Sequence, residues 1–516
     1  MIAEKISKNL HEVILANEVK KMALDKHSKT HKELSIAIVG AGFGGVGAAI
    51  RLMKAGVTDL VVYERGAGVG GVWHANTYPG AACDVPSHLY SFSFAPGTEW
   101  SRRYAPQADI EQYLNTLVDD FGVRPHLRCN TGVESARFDA DLGSWCVTTS
   151  DGESRNFDLL IAACGQLSNP AIPNLEGIDT FEGPTFHSAN WDHNCDIKGK
   201  CVAVVGTGAS AIQFVPEVAK LAGQLDIYQR SAPWIMHKFD REYPEWEKRL
   251  FRRVPARVAL SRRFFFLVFE LLTYGFTNRH WVLKPMAALS NAYRRKELGD
   301  YPDLLAKATP DYQVGCKRAL FTNDWYSTLK RDNVQLIHGK APWVTATGLV
   351  DAEGVERPAD VIIWGTGFQP LDFVAPMEIR GLEGRELSEV WDGRPEAYLG
   401  TTVAGFPNFF MMYGPNTNHG SGSVPYSNEC QYNYIVDAVE RLCEGGYRYL
   451  DLEADVLKRW RTEMEERSAE TVWTQGGCSS WYVTDTGVNT NNWPGPWLEY
   501  KRRTQHVDPT EYRFVK

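Results

Sequence analysis

Short apolar runs alternate with helically periodic segments over much of the chain. Near the start, the run LSIAIVG at 34–40 precedes a glycine-rich turn, a segment of helical periodicity and a second apolar run, DLVVYER at 59–65. The same order returns between KCVAVVG at 200–206 and LDIYQRS at 225–231. Apolar strands that alternate with helices predict parallel sheets with crossover helices. The predicted fold class is therefore α/β, with two similar units.

The first glycine-rich turn carries a dinucleotide-binding fingerprint. Gly40, Gly42 and Gly45 form G-x-G-x-x-G between strand and helix, and Glu64 ends the following strand. Glycines let the backbone approach a pyrophosphate at the positive end of the helix, and an acid after the second strand holds a ribose hydroxyl. The context predicts a Rossmann-like unit, and Glu64 favours FAD as its ligand.

The second turn differs from the first at the ribose position. Gly206, Gly208 and Ala211 form G-x-G-x-x-A, but Arg230 and Ser231 stand where an acid would follow the next strand. An acid there repels a 2'-phosphate, whereas a basic residue binds it. The second Rossmann-like unit is therefore predicted to bind NADPH. A chance match of one turn is a weak alternative, because each turn lies between a strand and a helix.

The pattern also predicts how the chain divides into domains. Between Trp234 and Asp311 aromatic and basic segments of helical period replace the strands, which predicts a helical insertion at about 236–310. Strand character then returns in DNVQLIHGK and ADVIIWGTGF, and a further helical stretch is predicted from Glu429 to Glu470. The predicted divisions are an N-terminal helical extension at 1–34, the FAD-binding domain in two parts at 35–168 and 368–516, and the NADPH-binding domain at 169–367.

The longest apolar run lies inside the predicted insertion. It extends from Phe264 to Phe269 and, past Glu270, to Phe276, which is shorter than the roughly 18 residues that cross a bilayer. The run predicts a buried helix and no transmembrane segment. A peripheral membrane contact is a minor alternative, because basic residues flank the run. They are Arg252, Arg253, Arg257, Arg262 and Arg263.

Charge and cysteine content limit the partners and the cellular compartment that the sequence allows. The 516 residues carry a net charge of -8, which gives no reason to expect nucleic acid as a partner. The N-terminus lacks the apolar segment of a secretory signal. The ten cysteines include no C-x-x-C pair and no zinc spacing, which predicts reduced thiols, no metal and no disulfide reductase activity. A cytoplasmic protein, monomeric or a small homo-oligomer, is expected.

Two longer motifs indicate the reaction. The segments GGVWHANTYPGAACD at 70–84 and FEGPTFHSANWD at 181–192 resemble the paired signatures of type I Baeyer-Villiger monooxygenases. Further similar segments, such as GCKRALFTNDWY and DVIIWGTGF, extend the resemblance from about residue 35 onward. The matching positions are Gly70, Gly71, Trp73, Tyr78, Pro79, Gly80 and Asp84 in the first signature and Phe181, Gly183, His187, Trp191 and Asp192 in the second.

The resemblance implies an enzyme that uses FAD, NADPH and O2 to convert a ketone into an ester or lactone. In that family oxygen adds at the flavin C4a carbon, and the resulting peroxide attacks the ketone. A fixed cation suits this step, and arginine stays charged without protonating the peroxide. The segment 315–318 matches the family's G-x-K-R, which implies Arg318 as the catalytic cation, Asp84 as its carboxylate partner and Lys317 beside Arg230 and Ser231.

The resemblance assigns further residues to the cofactors. Trp73, Tyr90 and Val133 are expected at the flavin with Asp84, and Trp481 is expected to close over the nicotinamide. His187 is expected to belong to a hinge between the domains rather than to transfer protons. The chain departs from the glycine-rich ending of the cyclohexanone-type enzymes after Tyr482.

Two other functions stay open beside the leading one. A flavin monooxygenase of sulfur or nitrogen centres shares the double nucleotide fold, although Trp191 and Arg318 disfavour it as the main activity. A non-enzymatic redox module that binds both nucleotides is less consistent with the set of Asp84, Lys317 and Arg318.

Overall fold

The computed structural model describes residues 33–340, 343–478, 480–484 and 486–516. The helix predicted for the N-terminal extension lies outside these residues. Along the described chain the strands are β1 Ser35–Val39, β2 Asp59–Tyr63, β3 Leu127–Arg128, β4 Val133–Asp139, β5 Ser144–Thr149, β6 Ser154–Phe157, β7 Leu159–Ala162, β8 Thr185–His187, β9 Cys201–Val205, β10 Gln224–Gln229, β11 Ile235–Met236, β12 Leu320–Phe321, β13 Val334–His338, β14 Trp343–Thr345, β15 Gly348–Val350, β16 Glu356–Pro358, β17 Val361–Trp364, β18 Glu378–Arg380, β19 Phe409–Met411, β20 Tyr449–Leu452 and β21 Tyr512–Val515.

The α-helices of the described residues follow the predicted alternation in each unit. They are α1 Phe43–Lys54, α2 Val72–Ala75, α3 Gln107–Asp120, α4 Ala211–Val218, α5 Glu245–Arg253, α6 Pro255–Thr277, α7 Lys284–Leu298, α8 Pro302–Lys307, α9 Trp325–Leu329, α10 Leu387–Trp391, α11 Val424–Gly445, α12 Ala454–Ala469, α13 Val472–Gln475 and α14 Trp497–Arg503.

The first parallel sheet has the strand order β19-β7-β1-β2-β3. Its centre is apolar on both faces, and Ile36 and Ile38 of β1 are fully buried, as in sheets that helices cover on both sides. The strand β19 comes from the last third of the chain. Tyr432 on α11 also donates a 2.6 Å hydrogen bond to the carbonyl of Phe43 on α1. The last third thus packs on the first sheet.

The second parallel sheet has the order β13-β10-β9-β17-β8. Val204, Ile227 and Ile363 form its buried centre. The smaller sheets are β18-β4-β5-β6, β14-β15-β16, β20-β21 and β11-β12. The two parallel sheets, each with a glycine turn between its first strand and helix, confirm the predicted α/β class with two Rossmann-like units.

The helix α6 corrects the prediction of a buried apolar helix. One face packs on the protein, where the Glu270 carboxylate accepts hydrogen bonds from the backbone N–H groups of Trp497 and Leu498 at 2.9 and 3.2 Å. Another face leaves Leu260 and Phe264 exposed. Apolar residues occur all round the helix, so the sequence could not show that one face stays uncovered. Within the described residues, no helix is long and apolar enough to span a membrane.

The predicted helical stretch from Glu429 to Glu470 is also wrong in part. It consists of two helices, α11 and α12, with the strand β20 between them. Gly446 ends α11 in the left-handed conformation, at a φ of 61°, which glycine adopts without steric cost. Helical periodicity continues on both sides of this glycine and concealed the four-residue strand.

A disulfide corrects the prediction that all cysteines are reduced thiols. Cys316 and Cys478 are bonded, whereas the other eight cysteines are free. The two partners are 162 residues apart in sequence, and neither belongs to a motif that indicates pairing. The bond connects the segment of Lys317 and Arg318 to the segment that carries Trp481.

His88 links the first unit to the helical insertion and gives a prediction for acid stability. Its ring is 2% exposed, its Nδ1 lies 3.1 Å from the Ser261 hydroxyl on α6, and it stacks on Tyr243. Burial lowers the pKa of His88 from 6.5 to about 4. Between these values the unfolded chain binds the extra proton, so this contribution to stability is complete above pH 6.5 and falls as the pH decreases.

We expect the free energy of unfolding to fall by about 2.5 kcal/mol more in the wild type than in His88→Gln between pH 7.5 and pH 4.5. Urea unfolding of both proteins at the two pH values measures the difference. An equal loss in the two proteins would contradict a buried neutral His88.

Candidate active site

The first glycine turn leaves room for a ligand backbone. Gly40 has a φ of 108°, and a Cβ there would lie 2.5 Å from the Ala163 carbonyl oxygen. A Cβ on Gly45 would lie 1.8 Å from the Gly40 carbonyl oxygen. The N-cap of α1 is Gly42, which has no side chain to satisfy the free N–H groups of the first turn. This end of the helix suits a pyrophosphate.

Glu64 lies beside that turn, as the ribose position requires. Its Oε2 accepts a 2.8 Å hydrogen bond from the Ala41 N–H, and its Oε1 accepts one of 2.7 Å from the Gly66 N–H. The Glu64 carbonyl accepts from the Thr131 N–H at 2.9 Å, which brings the start of β4 at Val133 to the same edge. The acid is thus held in place for a ribose hydroxyl.

Trp73 and Tyr90 form an aromatic pair close to the first unit. The Trp73 indole N–H donates a 3.0 Å hydrogen bond to the Tyr90 hydroxyl, and their rings are 5.7 Å apart. Tyr90 also meets Phe43 of α1 edge to face at 5.2 Å. Burial raises the pKa of Tyr90 well above its usual value, so the hydroxyl stays protonated. The pair offers an apolar, hydrogen-bonded wall that fits a flavin.

The second turn repeats the close approach of the first. Gly206 has a φ of 111°, and a Cβ there would lie 2.3 Å from the Gly365 carbonyl oxygen. Ala211, at the start of α4, is fully buried. Within the described residues the Ser210 side chain makes no capping hydrogen bond at this helix end. With Gly208 beside it, the end of α4 also suits a pyrophosphate.

A cationic cluster lies at the ribose position of the second unit. The Lys317 Nζ donates a 2.8 Å hydrogen bond to the Ser231 hydroxyl. Burial lowers the pKa of Lys317, and the charge of Arg230 lowers it further. Over the described chain, no ion pair includes Lys317 or Arg230. Two nearby cations without a bonded acid fit a doubly charged 2'-phosphate.

Arg318 and Asp84 form a two-point ion pair between the units. The Arg318 Nε and Nη2 donate to the Asp84 Oδ2 and Oδ1 at 2.9 and 2.6 Å. Burial alone would raise the pKa of Asp84, but the charge and hydrogen bonds of Arg318 outweigh it and lower the pKa. The Asp84 charge in turn raises the pKa of Arg318. The Arg318 side chain keeps 38% of its surface exposed, so the cation is fixed yet open.

Two tyrosines surround this ion pair. Burial raises the pKa of Tyr482 to about 12 although the charge of Arg318 lowers it, and the same two causes act on Tyr413. Both hydroxyls therefore stay protonated. The Trp481 ring lies 4.4 Å from that of Tyr482, and Trp481 is 40% exposed.

Lys238 is a site residue that the sequence did not indicate. Its Nζ lies 5.2 Å from the centre of the Tyr104 ring. Burial lowers the pKa of Lys238, and the charges of Asp240 and Asp84 act against that shift. The charge of Lys238 also helps to lower the pKa of Asp84. Lys238 belongs to no recognisable motif, so only the folded chain shows that it is a second cation near Asp84.

The second signature forms an edge strand and the turn after it. β8 pairs with β17, and His187 lies opposite Trp364. The His187 Nδ1 accepts a 3.1 Å hydrogen bond from the Ala189 N–H, and burial lowers the pKa of the ring. Trp191 packs on Phe214 of α4 at 5.3 Å. The His187 side chain is buried, and its observed hydrogen bond is to the backbone of the turn that follows β8.

The remaining residues of that signature fix the same edge. A Cβ on Gly183 would lie 2.5 Å from the Asp360 carbonyl oxygen, and the Phe181 ring lies against this glycine. Asp192 accepts a 2.9 Å hydrogen bond from the Asn194 N–H. The signature therefore sets how the chain enters the second sheet.

The first signature contacts the second unit directly. The Tyr78 hydroxyl donates a 3.0 Å hydrogen bond to the Gln213 Oε1 on α4. The Gln213 Nε2 donates to the Ala82 carbonyl at 2.9 Å. A Cβ on Gly80 would lie 2.7 Å from the Gln213 carbonyl oxygen. These contacts hold Asp84 of the first unit within hydrogen-bonding distance of Arg318 in the second unit.

Comparison with known proteins gives the family. Residues 33–284 match the flavin-binding monooxygenase-like family. A Baeyer-Villiger monooxygenase of Streptomyces coelicolor is 42% identical over 492 residues, which are 95% of this chain and 94% of the relative. A Baeyer-Villiger monooxygenase of Pseudomonas aeruginosa is 41% identical over 485 residues, which are 94% of this chain and 92% of the relative.

Solved structures agree with these relatives. A steroid monooxygenase bound to NADP superposes with a TM-score of 0.82 at 29% identity, over 93% of this chain and 99% of that one. The OTEMO complex with FAD and NADP superposes with a TM-score of 0.84 at 26% identity, over 94% of this chain and 100% of that one. The chain therefore belongs to the Baeyer-Villiger monooxygenases and is an FAD- and NADPH-dependent flavin monooxygenase.

Proposed function

We propose that the protein inserts an oxygen atom beside a ketone carbonyl, with Arg318 as the catalytic residue and Asp84 as its positioning carboxylate. The two-point ion pair between them carries the proposal. It fixes a permanent cation whose side chain stays 38% exposed. The names of the full-length relatives support the same reaction.

The chemistry divides between the cofactors and the chain. FAD that NADPH has reduced supplies the activated oxygen. Arg318 stabilises negative charge on that oxygen and cannot donate a proton to it, since a guanidinium does not titrate at working pH. The same cation stabilises the oxyanion that forms when the ketone carbonyl is attacked. Asp84 fixes the guanidinium through two hydrogen bonds. The charge and hydrogen bonds of Arg318, with a smaller contribution from the charge of Lys238, lower the pKa of Asp84 and favour its ionised form.

The remaining roles follow from position. Gly40, Gly42, Gly45 and Glu64 hold FAD with Trp73, Tyr90 and Val133. Gly206, Gly208 and Ala211 hold the NADPH pyrophosphate. Arg230, Ser231 and Lys317 would hold the 2'-phosphate, and Trp481 would contact the nicotinamide. The segment 181–192 serves as the hinge between a two-part FAD domain at 35–168 and 368–516 and an NADPH domain at 169–367. Eight of the ten cysteines are free thiols, which supports a cytoplasmic location, whereas a bond such as that between Cys316 and Cys478 is rare there.

Product analysis tests the proposed reaction. We expect purified FAD-loaded protein with NADPH and O2 to convert at least one member of a panel of linear, cyclic, aromatic and steroid ketones into an ester or lactone heavier by one oxygen atom. Mass spectrometry with labelled O2 identifies the inserted atom. Sulfoxides or N-oxides from parallel sulfides and amines, with no ester from any ketone, would favour a sulfur or nitrogen oxygenase instead.

A further inference from the structure

The helix α6 presents an apolar stripe to solvent. Leu260, Phe264, Leu267 and Leu271 are 69%, 60%, 54% and 59% exposed, and Val268 and Tyr274 are exposed beside them. At about 3.6 residues per turn, these six positions span about 120° of the helix circumference. Monomeric proteins rarely expose so many large apolar side chains in one row. The stripe therefore requires an explanation beyond the stability of the fold.

Only cationic residues accompany the stripe. Arg257 and Arg263 are exposed. By helical spacing Arg263 lies just outside one margin of the stripe and Arg257 just inside the other, while Arg253 and Arg279 are exposed just beyond the two ends of the helix. Across the described chain, no ion pair involves any of these four arginines. The single acid of α6, Glu270, lies beside the stripe by helical spacing, but it is buried and bonded to the N–H groups of Trp497 and Leu498.

We propose that this face of α6 is a peripheral membrane-binding surface for bilayers that contain anionic phospholipids. An apolar stripe with basic margins is the form of a helix that lies in the interface plane with its apolar side chains below the headgroups. Anionic headgroups attract arginines near the surface. The chain as a whole has a net charge of -8, so this basic face belongs to a protein that is acidic overall.

Charge distinguishes the bilayer from a second copy of the chain. Two stripes packed together would bring the marginal arginines of both helices close to each other. Neither stripe offers an acid for them. Glu270 is buried and bonded to backbone N–H groups, and Glu247, the acid whose pKa the charge of Arg257 lowers, is already bonded to Arg241. Anionic lipid headgroups provide the missing negative charge and do not bring like charges together.

Vesicle sedimentation tests the proposal without any turnover. FAD-loaded full-length protein is spun with vesicles of phosphatidylcholine alone and with vesicles that also contain phosphatidylglycerol. We expect binding to the anionic vesicles that weakens with added salt, and at least about tenfold weaker binding for Phe264→Ser with Leu267→Ser, because two apolar anchors are lost. Arg257→Gln with Arg263→Gln is expected to remove the preference for anionic vesicles.

The controls separate the outcomes. Leu142→Ser replaces a leucine that is 60% exposed outside α6, and we expect it to bind as the wild type does. Circular dichroism checks that each variant folds. Absence of binding to anionic vesicles at low salt, or equal binding by the Phe264 and Leu267 variant, would overturn the proposal. A wild-type dimer that the same variant converts to a monomer in light scattering would assign the stripe to a second copy instead.

Discussion

Replacing Arg318 with alanine is expected to lower ester formation at least about 100- to 1,000-fold, the usual cost of losing one preorganised charge-stabilising group. Reduction of FAD by NADPH should change much less, because both nucleotide turns and the cluster of Arg230, Ser231 and Lys317 stay intact. Rapid-mixing absorbance under anaerobic conditions measures FAD reduction, and mass spectrometry measures the ester.

The physical reason is that Arg318 is the guanidinium held at two points by Asp84. Without it the reacting oxygen loses its counter-charge and takes up a proton, so NADPH consumption should yield hydrogen peroxide in place of ester. Hydrogen peroxide release is therefore a second readout. Normal ester yield from Arg318→Ala would remove the residue from the proposed mechanism.

Arg318→Lys is the matched control. Lysine keeps the charge but lacks the planar fork that meets both oxygens of Asp84. We expect ester formation between that of the wild type and that of Arg318→Ala. Equal loss in both variants would show that a positive charge without the two-point geometry is not sufficient. Full activity in Arg318→Lys would show that the charge alone is sufficient.

The sequence predicted those parts of the site that depend on local backbone. The two glycine turns and the residues after the second strands are set by a strand, a turn and a helix that are contiguous in sequence. Their patterns indicate close backbone approach, and Gly45 and Gly206 show it, since neither has space for a Cβ. The resemblance supplied the pair of Asp84 and Arg318, which are 234 residues apart and which no periodicity connects.

The sequence did not predict features that depend on contacts between segments distant in the chain. Lys238 acts on Asp84 only because the folded chain brings two residues close that are far apart in sequence. The disulfide of Cys316 and Cys478 depends on the approach of two loops. The apolar run of α6 predicted burial, yet the protein offers packing partners to one face only. Apolar periodicity predicts that a helix forms, whereas tertiary contacts decide which of its faces is covered.

Replacing Arg230 with alanine is expected to raise the KM for NADPH by about 10- to 100-fold, because a charge-assisted hydrogen bond contributes about 1.5 to 3 kcal/mol. The KM for NADH should change less than about threefold, because NADH lacks the 2'-phosphate. Arg230 is a better site for this test than Lys317, whose neighbours in sequence are Arg318 and the disulfide at Cys316.

Steady-state oxidation of both nucleotides with a turned-over ketone gives the four KM values that the comparison needs. Ser231→Ala serves as the control, since its neutral hydroxyl contributes less than a cation, and we expect a rise of only a few-fold for NADPH. Its loss also removes the 2.8 Å partner of the Lys317 Nζ, so a larger rise would show that Ser231 orients Lys317. An equal rise for NADPH and NADH in Arg230→Ala would exclude the 2'-phosphate as the group that this cation binds.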